Sequence, residues 1–282
     1  METIGNQSLW SLLDGASKAE RVSNSKVRLD QGHFVSSYLD LVAKIAALQF
    51  RNRDYVFLFR GQPTDYKNRA NSSSLRPSLL RAKSIPAEFE KLRQAEDLLV
   101  DKYRFTGFER VVRHQALRWA ILQHYRVCGT PLLDVTQSLR IAASFASEPL
   151  PDPDTFSPKA FLYVLGVPNI SGAITASDEA GLEVIRLSSV CPPEAVRPHI
   201  QEGYLLSEYP ELSNFKQQEH YEKHELDFGK RLIAKFRFDP NEFWRNSKEF
   251  PRIPHSALYP NSSDDPVHEL TESIKTILER KK

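Results

Sequence analysis

The chain has 282 residues, and its 38 Lys and Arg nearly balance its 36 Asp and Glu, giving a net charge of +2 with 40% hydrophobic residues. This is ordinary globular composition, which excludes a disordered or collagen-like chain. The near-neutral charge also argues against a general nucleic-acid binder that depends on counterion release, so an anionic ligand would need a local group of basic residues.

The first 31 residues are interpreted as an N-terminal extension. They contain no basic stretch followed by an apolar core, and no segment of the chain approaches the roughly 20 apolar residues needed to cross a bilayer. Only two cysteines occur, which is too few for a disulfide scaffold or a four-thiolate zinc site. We therefore expect a cytoplasmic protein with reduced thiols and no membrane partner.

The main domain is predicted to span residues 32–275. Its first element is an amphipathic helix over residues 32–50, with apolar residues at helical spacing. A strand over Tyr55–Phe59 follows, and Arg60-Gly61-Gln62-Pro63 is expected to stop it, because Gly61 permits an unusual backbone angle and Pro63 breaks the hydrogen-bond ladder. Arg60 would then emerge at the end of a strand.

Helices dominate the next part of the chain. The apolar pattern predicts a short helix around Ser74–Arg81, a charged helix from Pro86 to about Tyr103 and a long central helix from Glu109 to Val127. An extended segment, Leu132–Thr136, then leads into a helix of small residues at 138–147.

The second half of the chain reads mainly as strands separated by Pro, Gly or Ser. Four strands are predicted, at 159–168, 181–190, 203–209 and 230–239. Helices are predicted at 215–226, 241–246 and 267–280, the last ending in residues 276–282. The fold class is therefore α+β, with a helical first half packed on a mainly antiparallel sheet that includes Tyr55–Phe59.

Common catalytic signatures are absent, including the P-loop, the dinucleotide-binding glycine motif and the serine-hydrolase elbow. His220 and His224 have metal-ligand spacing, but the surrounding Lys and Glu favour a solvated helix, and we expect no metal. Cys128 is a candidate nucleophile, although a packed thiol at a helix end is the favoured interpretation.

Polar residues follow several apolar runs and could line a binding site. An Arg at a strand end offers a planar donor fork for a phosphate or a carboxylate. The alternative is that Arg60 and Asp134 form a buried salt bridge, and the spacing does not separate the two interpretations. The groups are Arg60-Gly61-Gln62, Gln123-His124-Tyr125, Asp134-Val135-Thr136, and Arg197 with Gln201-Glu202-Gly203-Tyr204.

The same residues resemble the FRG domain, named for the Phe-Arg-Gly that stands here at Phe59-Arg60-Gly61. The run Gln123–Thr136 is similar to the family's "QH-Y-G-x-P-T-x-L-L-D-W-T", although Val135 replaces Trp and the interval before Pro131 is altered. Later elements also resemble family motifs: Arg197, Gln201, Gly203 and Tyr204, then Leu258-Tyr259-Pro260.

The order of these motifs further resembles the Arg-Ser-Glu type ADP-ribosyltransferases, which implies an ADP-ribosyltransferase-like fold and NAD as substrate. On that resemblance Arg60, with Gly61 and Gln62, would hold a phosphate or ribose of NAD. Thr136 would support Arg60 or the ribose, and Gln201-Glu202 would stand near the catalytic turn. His124 and Asp134 would complete the nucleotide contacts, with His124 placed to bond a diphosphate or ribose.

The chemistry of NAD cleavage leaves two functions open. Breaking the nicotinamide–ribose bond passes through a cation-like transition state, which a carboxylate stabilises. Glu202 could supply that charge and Gln201 could not. The resemblance thus implies an ADP-ribosyltransferase or NAD glycohydrolase acting in phage defence or as a toxin, with a protein as acceptor. The alternative is a non-catalytic module that binds a nucleotide or a partner protein.

Overall fold

A computed structural model describes residues 4, 8–149, 159–209, 226–260 and 264–280. Within these residues the chain forms ten strands and eleven α-helices, with mostly antiparallel strand pairing, which confirms the α+β class. The chain is divided into two units, each assembled from three separate segments. Unit 1 comprises residues 1–75, 135–170 and 227–255, and unit 2 comprises residues 76–134, 171–226 and 256–282.

The centre of unit 1 is a set of paired strands. Strand β6 (Ala160–Val167) pairs antiparallel with β4 (Val56–Gln62) on one side and with β10 (Leu232–Phe238) on the other. The short strand β3 (His33–Phe34) adds to β10 in parallel, and Thr136 of β5 (Leu133–Thr136) pairs with Phe59 of β4. Strand β6 is buried along nearly its whole length, as expected for a central strand.

Strand β4 differs from its prediction, because it does not stop at Phe59 but continues through Arg60, Gly61 and Gln62. Gly61 has ordinary strand geometry. Its importance is packing: a Cβ at this position would lie 1.8 Å from the Ala142 carbonyl oxygen. Helix α6 (Leu139–Ala146), the predicted helix of small residues, packs so closely on β4 that only glycine fits.

Residues 1–31 contribute structure to unit 1. Strands β1 (Leu9–Ser11) and β2 (Glu20–Val22) form an antiparallel pair, and helix α1 (Asn24–Leu29) packs on β10. Helix α2 (Tyr38–Arg51) starts six residues later than predicted, because Ser37 caps it by accepting the N–H of Asp40. Helix α9 (Pro240–Arg245) follows β10, as the sequence predicts.

The predicted long helix at 109–127 is wrong. Unit 2 instead contains α4 (Phe108–Arg113) and α5 (Gln115–His124), which are separated at His114, where the backbone is extended. Arg118 donates to the carbonyls of Val111 and Val112 at 2.9 and 2.8 Å, which satisfies carbonyl groups that the break leaves outside the helical ladder.

The other helical predictions of unit 2 have mixed outcomes. Helix α3 (Ile85–Lys102) agrees with its prediction and begins after the N-cap Ser84. The short helix predicted at Ser74–Arg81 is only a 3₁₀ turn at Leu79–Arg81. The C-terminal helix (Pro266–Arg280) packs against α3.

Three antiparallel strands complete unit 2: β7 (Ile174–Ser177), β8 (Leu182–Arg186) and β9 (Gly203–Glu208). The segment 181–190 is not one long strand, because it turns into helix α7 (Leu187–Val190) after Arg186. Helix α8 (Val196–Ile200) then leads to β9. The helix predicted at 215–226, with His220 and His224, lies outside the described residues except for its last residue. None of the helices in the described part of the chain has the length and apolar character needed to cross a membrane.

Candidate functional site

The predicted site residues are divided between the two units. Arg60, Gly61, Gln62 and Thr136 belong to unit 1, and His124, Asp134, Gln201 and Glu202 belong to unit 2.

In unit 1, Arg60 belongs to a row of polar residues that crosses three strands. The register places Arg60 opposite Tyr163 and Tyr163 opposite Lys235. Residues directly opposite one another on paired strands present their side chains to the same face of the sheet. Tyr163 and Lys235 are buried in this row, with 0% and 1% of their surfaces exposed. A lysine this deeply buried needs an anionic partner.

That partner is Asp65, which follows β4. One oxygen of its carboxylate, Oδ2, accepts from the Nζ atoms of both Lys235 and Lys67 at 2.8 Å, and Oδ1 accepts from the Tyr163 hydroxyl at 2.9 Å. Lys235 also donates to Ser73 Oγ at 2.7 Å. We call Asp65, Lys67, Ser73, Tyr163 and Lys235 the basic cluster. Its two ammonium groups share one carboxylate, so it carries a net charge of +1.

The electrostatics of the basic cluster favour the charged form of Asp65 and the neutral form of Tyr163. Burial raises the pKa of Asp65, but the hydrogen bonds from Lys235 and Lys67 outweigh it and hold that pKa below its ordinary value. Burial lowers the pKa of Lys235, which Asp65 opposes. Burial raises the pKa of Tyr163 well above its ordinary value, and Asp65 adds to this, while the positive charge of Arg60 acts the other way. Tyr163 therefore remains a hydrogen-bond donor at neutral pH.

Gln62 and Thr136 have different local roles. Gln62 is buried, and its Oε1 atom has no hydrogen-bond partner within the described residues. Thr136 is also buried, and its Oγ1 accepts the backbone N–H of Ser138 at 3.0 Å, which fixes the turn into α6. The predicted contact of Thr136 with Arg60 or a ribose stays a prediction.

In unit 2, the end of α5 carries a chain of hydrogen bonds. Gln123 Oε1 accepts from the hydroxyls of Ser78 and Thr130 at 3.2 and 2.8 Å, and Gln123 Nε2 donates to Asp134 Oδ2 at 2.6 Å. The other carboxylate oxygen of Asp134 lies 3.9 Å from His124 Nδ1. His124 is 9% exposed, and its Nε2 atom is buried without a hydrogen-bond partner among the described residues. Two predicted residues, His124 and Asp134, are thus adjacent.

Gln201 and Glu202 occupy contrasting environments. Gln201 is buried, and its Nε2 donates to the Leu258 carbonyl at 2.6 Å, so its amide helps to hold the C-terminal segment. Glu202 is exposed and has a left-handed backbone with φ of 44°. The next residue, Gly203, begins β9 close to His124: a Cβ there would lie 3.5 Å from His124 Cε1.

The buried network around Asp265 was not predicted from the sequence. The Tyr125 hydroxyl lies 2.7 and 2.9 Å from the two carboxylate oxygens of Asp265 and donates a hydrogen bond to this carboxylate. The backbone N–H of Arg197 donates to Asp265 Oδ2 at 3.3 Å. The Arg197 guanidinium lies 5.1 Å from the centre of the Tyr125 ring and 5.6 Å from that of Tyr259. The motif residues Tyr125, Arg197 and Tyr259 therefore stabilise the interior of unit 2 through these contacts.

Asp65 and Lys235 were missed as well, although Lys235 had a sequence signal. It is the lone lysine within the apolar run Leu232–Phe236, where an ammonium group requires a buried partner. The identity of that partner had no such signal, because Asp65 is 170 positions away.

The described residues give no support for a metal site or for a reactive Cys128 thiol. The described residues contain no group of three or more His, Cys, Asp or Glu that could hold a metal ion. Cys128 is buried, and burial raises the pKa of its thiol to about 12, so the thiol is protonated at neutral pH. This agrees with the packing interpretation of Cys128.

A comparison with protein families matches part of the chain. Neither the curated proteins nor the solved structures compared with the chain contain a match. A family model describes the segment that carries Arg60, His124 and Asp134 and leaves Arg197 and Gln201 outside its bounds. That segment, residues 55–154, matches the FRG domain.

Proposed function

We propose that the protein binds an anionic nucleotide, with NAD as the candidate, through Arg60 and the basic cluster of unit 1. The observation that carries this proposal is the sharing of one carboxylate, Asp65, by two ammonium groups. Lys67 and Lys235 together carry two positive charges against one negative charge. A phosphate group would supply the missing negative charge. Because the cluster is partly desolvated, the attraction between the phosphate and the ammonium groups would be stronger than in bulk water.

The side chains that a ligand could reach are Lys67 and Arg60. The Lys67 side chain is 30% exposed, whereas Lys235 is fully enclosed. Arg60 is half-buried on the same face of the sheet as Tyr163. Its guanidinium fork suits two phosphate oxygens, and its origin in a central strand gives it a fixed position. Lys67 would add charge on the solvent side.

The proposal extends from binding to catalysis. If the protein transfers ADP-ribose to an acceptor or hydrolyses NAD, Glu202 is the member of the Gln201–Glu202 pair that can stabilise the cation-like transition state. The engagement of the Gln201 amide with the Leu258 carbonyl favours a structural role for that residue. The second candidate function is a nucleotide-binding module without turnover, which would follow if the neutral amide of Gln201 stood where the reaction needs a carboxylate.

Binding is tested by calorimetric titration of NAD and of ADP-ribose into the protein. Arg60→Ala should weaken binding about tenfold or more, because hydrogen bonds to charged groups contribute about 1.5–3 kcal/mol. Lys67→Ala should weaken it less and reduce its salt dependence. The matched control is Lys18→Ala, an exposed cation of the same unit. Folded wild-type protein that binds neither compound would refute the proposal.

Turnover is tested by chromatography of nicotinamide released from NAD, with and without added protein acceptors. The enzyme version predicts release by wild-type protein and little release by Glu202→Gln, with binding retained. Binding of NAD without nicotinamide release would support the non-catalytic module instead.

A further inference from the structure

We propose that helix α2 of unit 1 binds α2 of a second copy of this chain, in an antiparallel pair related by a two-fold axis. The contact would be made by four exposed apolar residues, Leu39, Ala43, Ala46 and Phe50, which we call the α2 stripe. The inference does not rest on the proposed function, because it involves neither Arg60 nor the basic cluster.

Helix α2 is apolar on two opposite sides. One side packs into unit 1 through three buried residues, Leu41, Ile45 and Leu48. On the other side, Leu39 and Phe50 are 54% and 68% exposed, and Ala43 and Ala46 between them are exposed as well. A helix that is apolar all round is normally covered on all sides. Within the described residues, nothing covers the α2 stripe.

The α2 stripe is symmetric in both spacing and size. Its residues are separated by four, three and four positions, which is the same pattern when it is read from either end. Their sizes also read the same way, because two small residues lie between two large ones. A two-fold axis would therefore place Leu39 beside the second copy's Phe50 and Ala43 beside the second copy's Ala46. An interface between identical copies requires this self-complementarity, and small central residues allow the two helix axes to approach closely.

The charges beside the α2 stripe are complementary in the antiparallel pair. Asp40 and Arg51 are 11 residues apart, about three turns, so they lie on the same flank of the stripe. An antiparallel pair brings this flank of the two copies together, with Arg51 about 3 Å along the axis from the second copy's Asp40. A parallel pair would place this flank against the uncharged flank instead.

Both side chains can form this contact. The Asp40 side chain is 31% exposed, so its carboxylate, which accepts from Lys44, can take a second donor. Arg51 is exposed, and its guanidinium lies over the Trp10 ring at 4.6 Å from the ring centre. Stacking uses the face of the guanidinium and leaves its N–H edge for a carboxylate.

The size of the contact sets its strength. Helix α2 has 14 residues and is about 20 Å long, so the pair is smaller than a standard protein interface, and we expect a micromolar dissociation constant. The net charge of +2 opposes self-association only weakly. A helix that lies on a membrane usually has free cations beside its apolar side, whereas Lys44 is paired with Asp40. These features favour a second copy as the occupant.

The association is tested by sedimentation velocity of the full chain between about 1 and 200 μM. Wild-type protein should shift from monomer to dimer. Phe50→Asp should raise the dissociation constant about tenfold or more without changing the unfolding curve, because the side chain is exposed. Leu29→Asp is the matched control, since Leu29 is 55% exposed on α1, and it should dimerise as wild type does. A chain that stays monomeric throughout, or that floats with anionic phospholipid vesicles through Phe50 instead, would overturn the proposal.

The antiparallel arrangement is tested by disulfide cross-linking. Ala43→Cys mixed with Ala46→Cys should form a covalent dimer on mild oxidation, and peptide mapping should locate the bond between the two introduced cysteines. Either variant alone should cross-link less, because its two cysteines would be displaced by three residues, about 4.5 Å along the axis. Stronger cross-linking in the single variants than in the mixture would indicate a parallel pair and overturn the proposal. Neither experiment involves a nucleotide, so failure here leaves the proposed function untouched.

Discussion

At the scale of single residues, Lys235 shows how strongly one buried charge organises its surroundings. It stands in the middle of β10, yet its ammonium group reaches both Asp65 and Ser73. Asp65 gains a second cation from Lys67 and a donor from Tyr163. Removing the Asp65 carboxylate should cost folding free energy, because the Lys235 ammonium group is buried away from water and would lose its anionic partner.

Asp65→Asn should therefore destabilise the protein by about 3–5 kcal/mol, as expected when one partner of a buried ion pair is lost. Urea unfolding followed by circular dichroism measures this change. The control Asp101→Asn, at an exposed position of α3, should stay within about 0.5 kcal/mol of wild type. The double variant Asp65→Asn/Lys235→Met should regain part of the loss. A single variant as stable as wild type would show that the cluster does not stabilise the fold.

At the scale of secondary-structure elements, the contact between β4 and α6 is set by Gly61 and the small residues of the helix. An added Cβ would meet the Ala142 carbonyl oxygen at 1.8 Å and the Ala146 nitrogen at 2.7 Å. Both are backbone atoms of a helix, so neither can rotate away as a side chain could. The strand and the helix would have to separate.

Gly61→Ala is expected to cost about 3 kcal/mol or more, at the upper end of overpacking penalties. Thermal and urea unfolding provide the measurement. Gly172→Ala is the matched control, because its nearest neighbour would be 3.7 Å away, and it should be close to neutral. If both variants unfolded alike, close packing of α6 would not be the reason for glycine.

The C-terminal helix contributes a pH-dependent contact. His268 stacks on Tyr125 with ring centres 6.4 Å apart, and burial, followed by the charge of Arg197, lowers its pKa below the ordinary 6.5. The unfolded chain therefore takes up a proton at His268 before the folded protein does. The contribution of neutral His268 to the free energy of unfolding is present above about pH 6.5. It is lost as the pH falls toward the pKa that His268 has in the folded protein.

The melting temperature of wild-type protein should therefore fall, relative to His268→Gln, as the pH is lowered from 7.5 to 5.5. Glu272 lies 3.4 Å from His268, but its pKa is below 4.5, so it does not titrate in this range. The difference should be constant between pH 7.5 and 8.5. If the melting temperature of wild-type protein rose relative to that of His268→Gln in acid, the direction assigned to the His268 pKa would be contradicted.

At the scale of the whole molecule, each unit is assembled from three distant segments, and the FRG match covers parts of both units. The matched segment contains β4 but not its partner β6, and Asp65 but not Lys235. It also contains Tyr125 without Asp265. Its buried polar groups therefore depend on residues outside its bounds.

The isolated fragment of residues 55–154 should not fold cooperatively. Near-ultraviolet circular dichroism and urea unfolding should show no fixed tertiary structure in the fragment and a sigmoidal transition in the full chain. A fragment with a cooperative transition and a well-dispersed NMR spectrum would show that the FRG segment is self-sufficient.

Much of the architecture was accessible from sequence because it depends on local pattern. Helix α3, the small-residue helix α6 and the strands β6, β9 and β10 follow from apolar spacing and from breakers at their ends. The break of the predicted long helix at His114 was not accessible. It depends on Arg118 bonding to two carbonyls, a contact that apolar spacing does not encode.

The sequence by itself determined the α+β class and the FRG motifs, and it predicted Arg60, His124 and Asp134 as site residues because they are polar groups beside apolar runs. Only the tertiary structure decided which buried polar groups pair with one another. The bond from Lys235 to Asp65 joins residues 170 positions apart, and the bond from Tyr125 to Asp265 spans 140 positions. Such pairs are fixed by strand register and by the path of the chain, and a local pattern of residues carries no information about either.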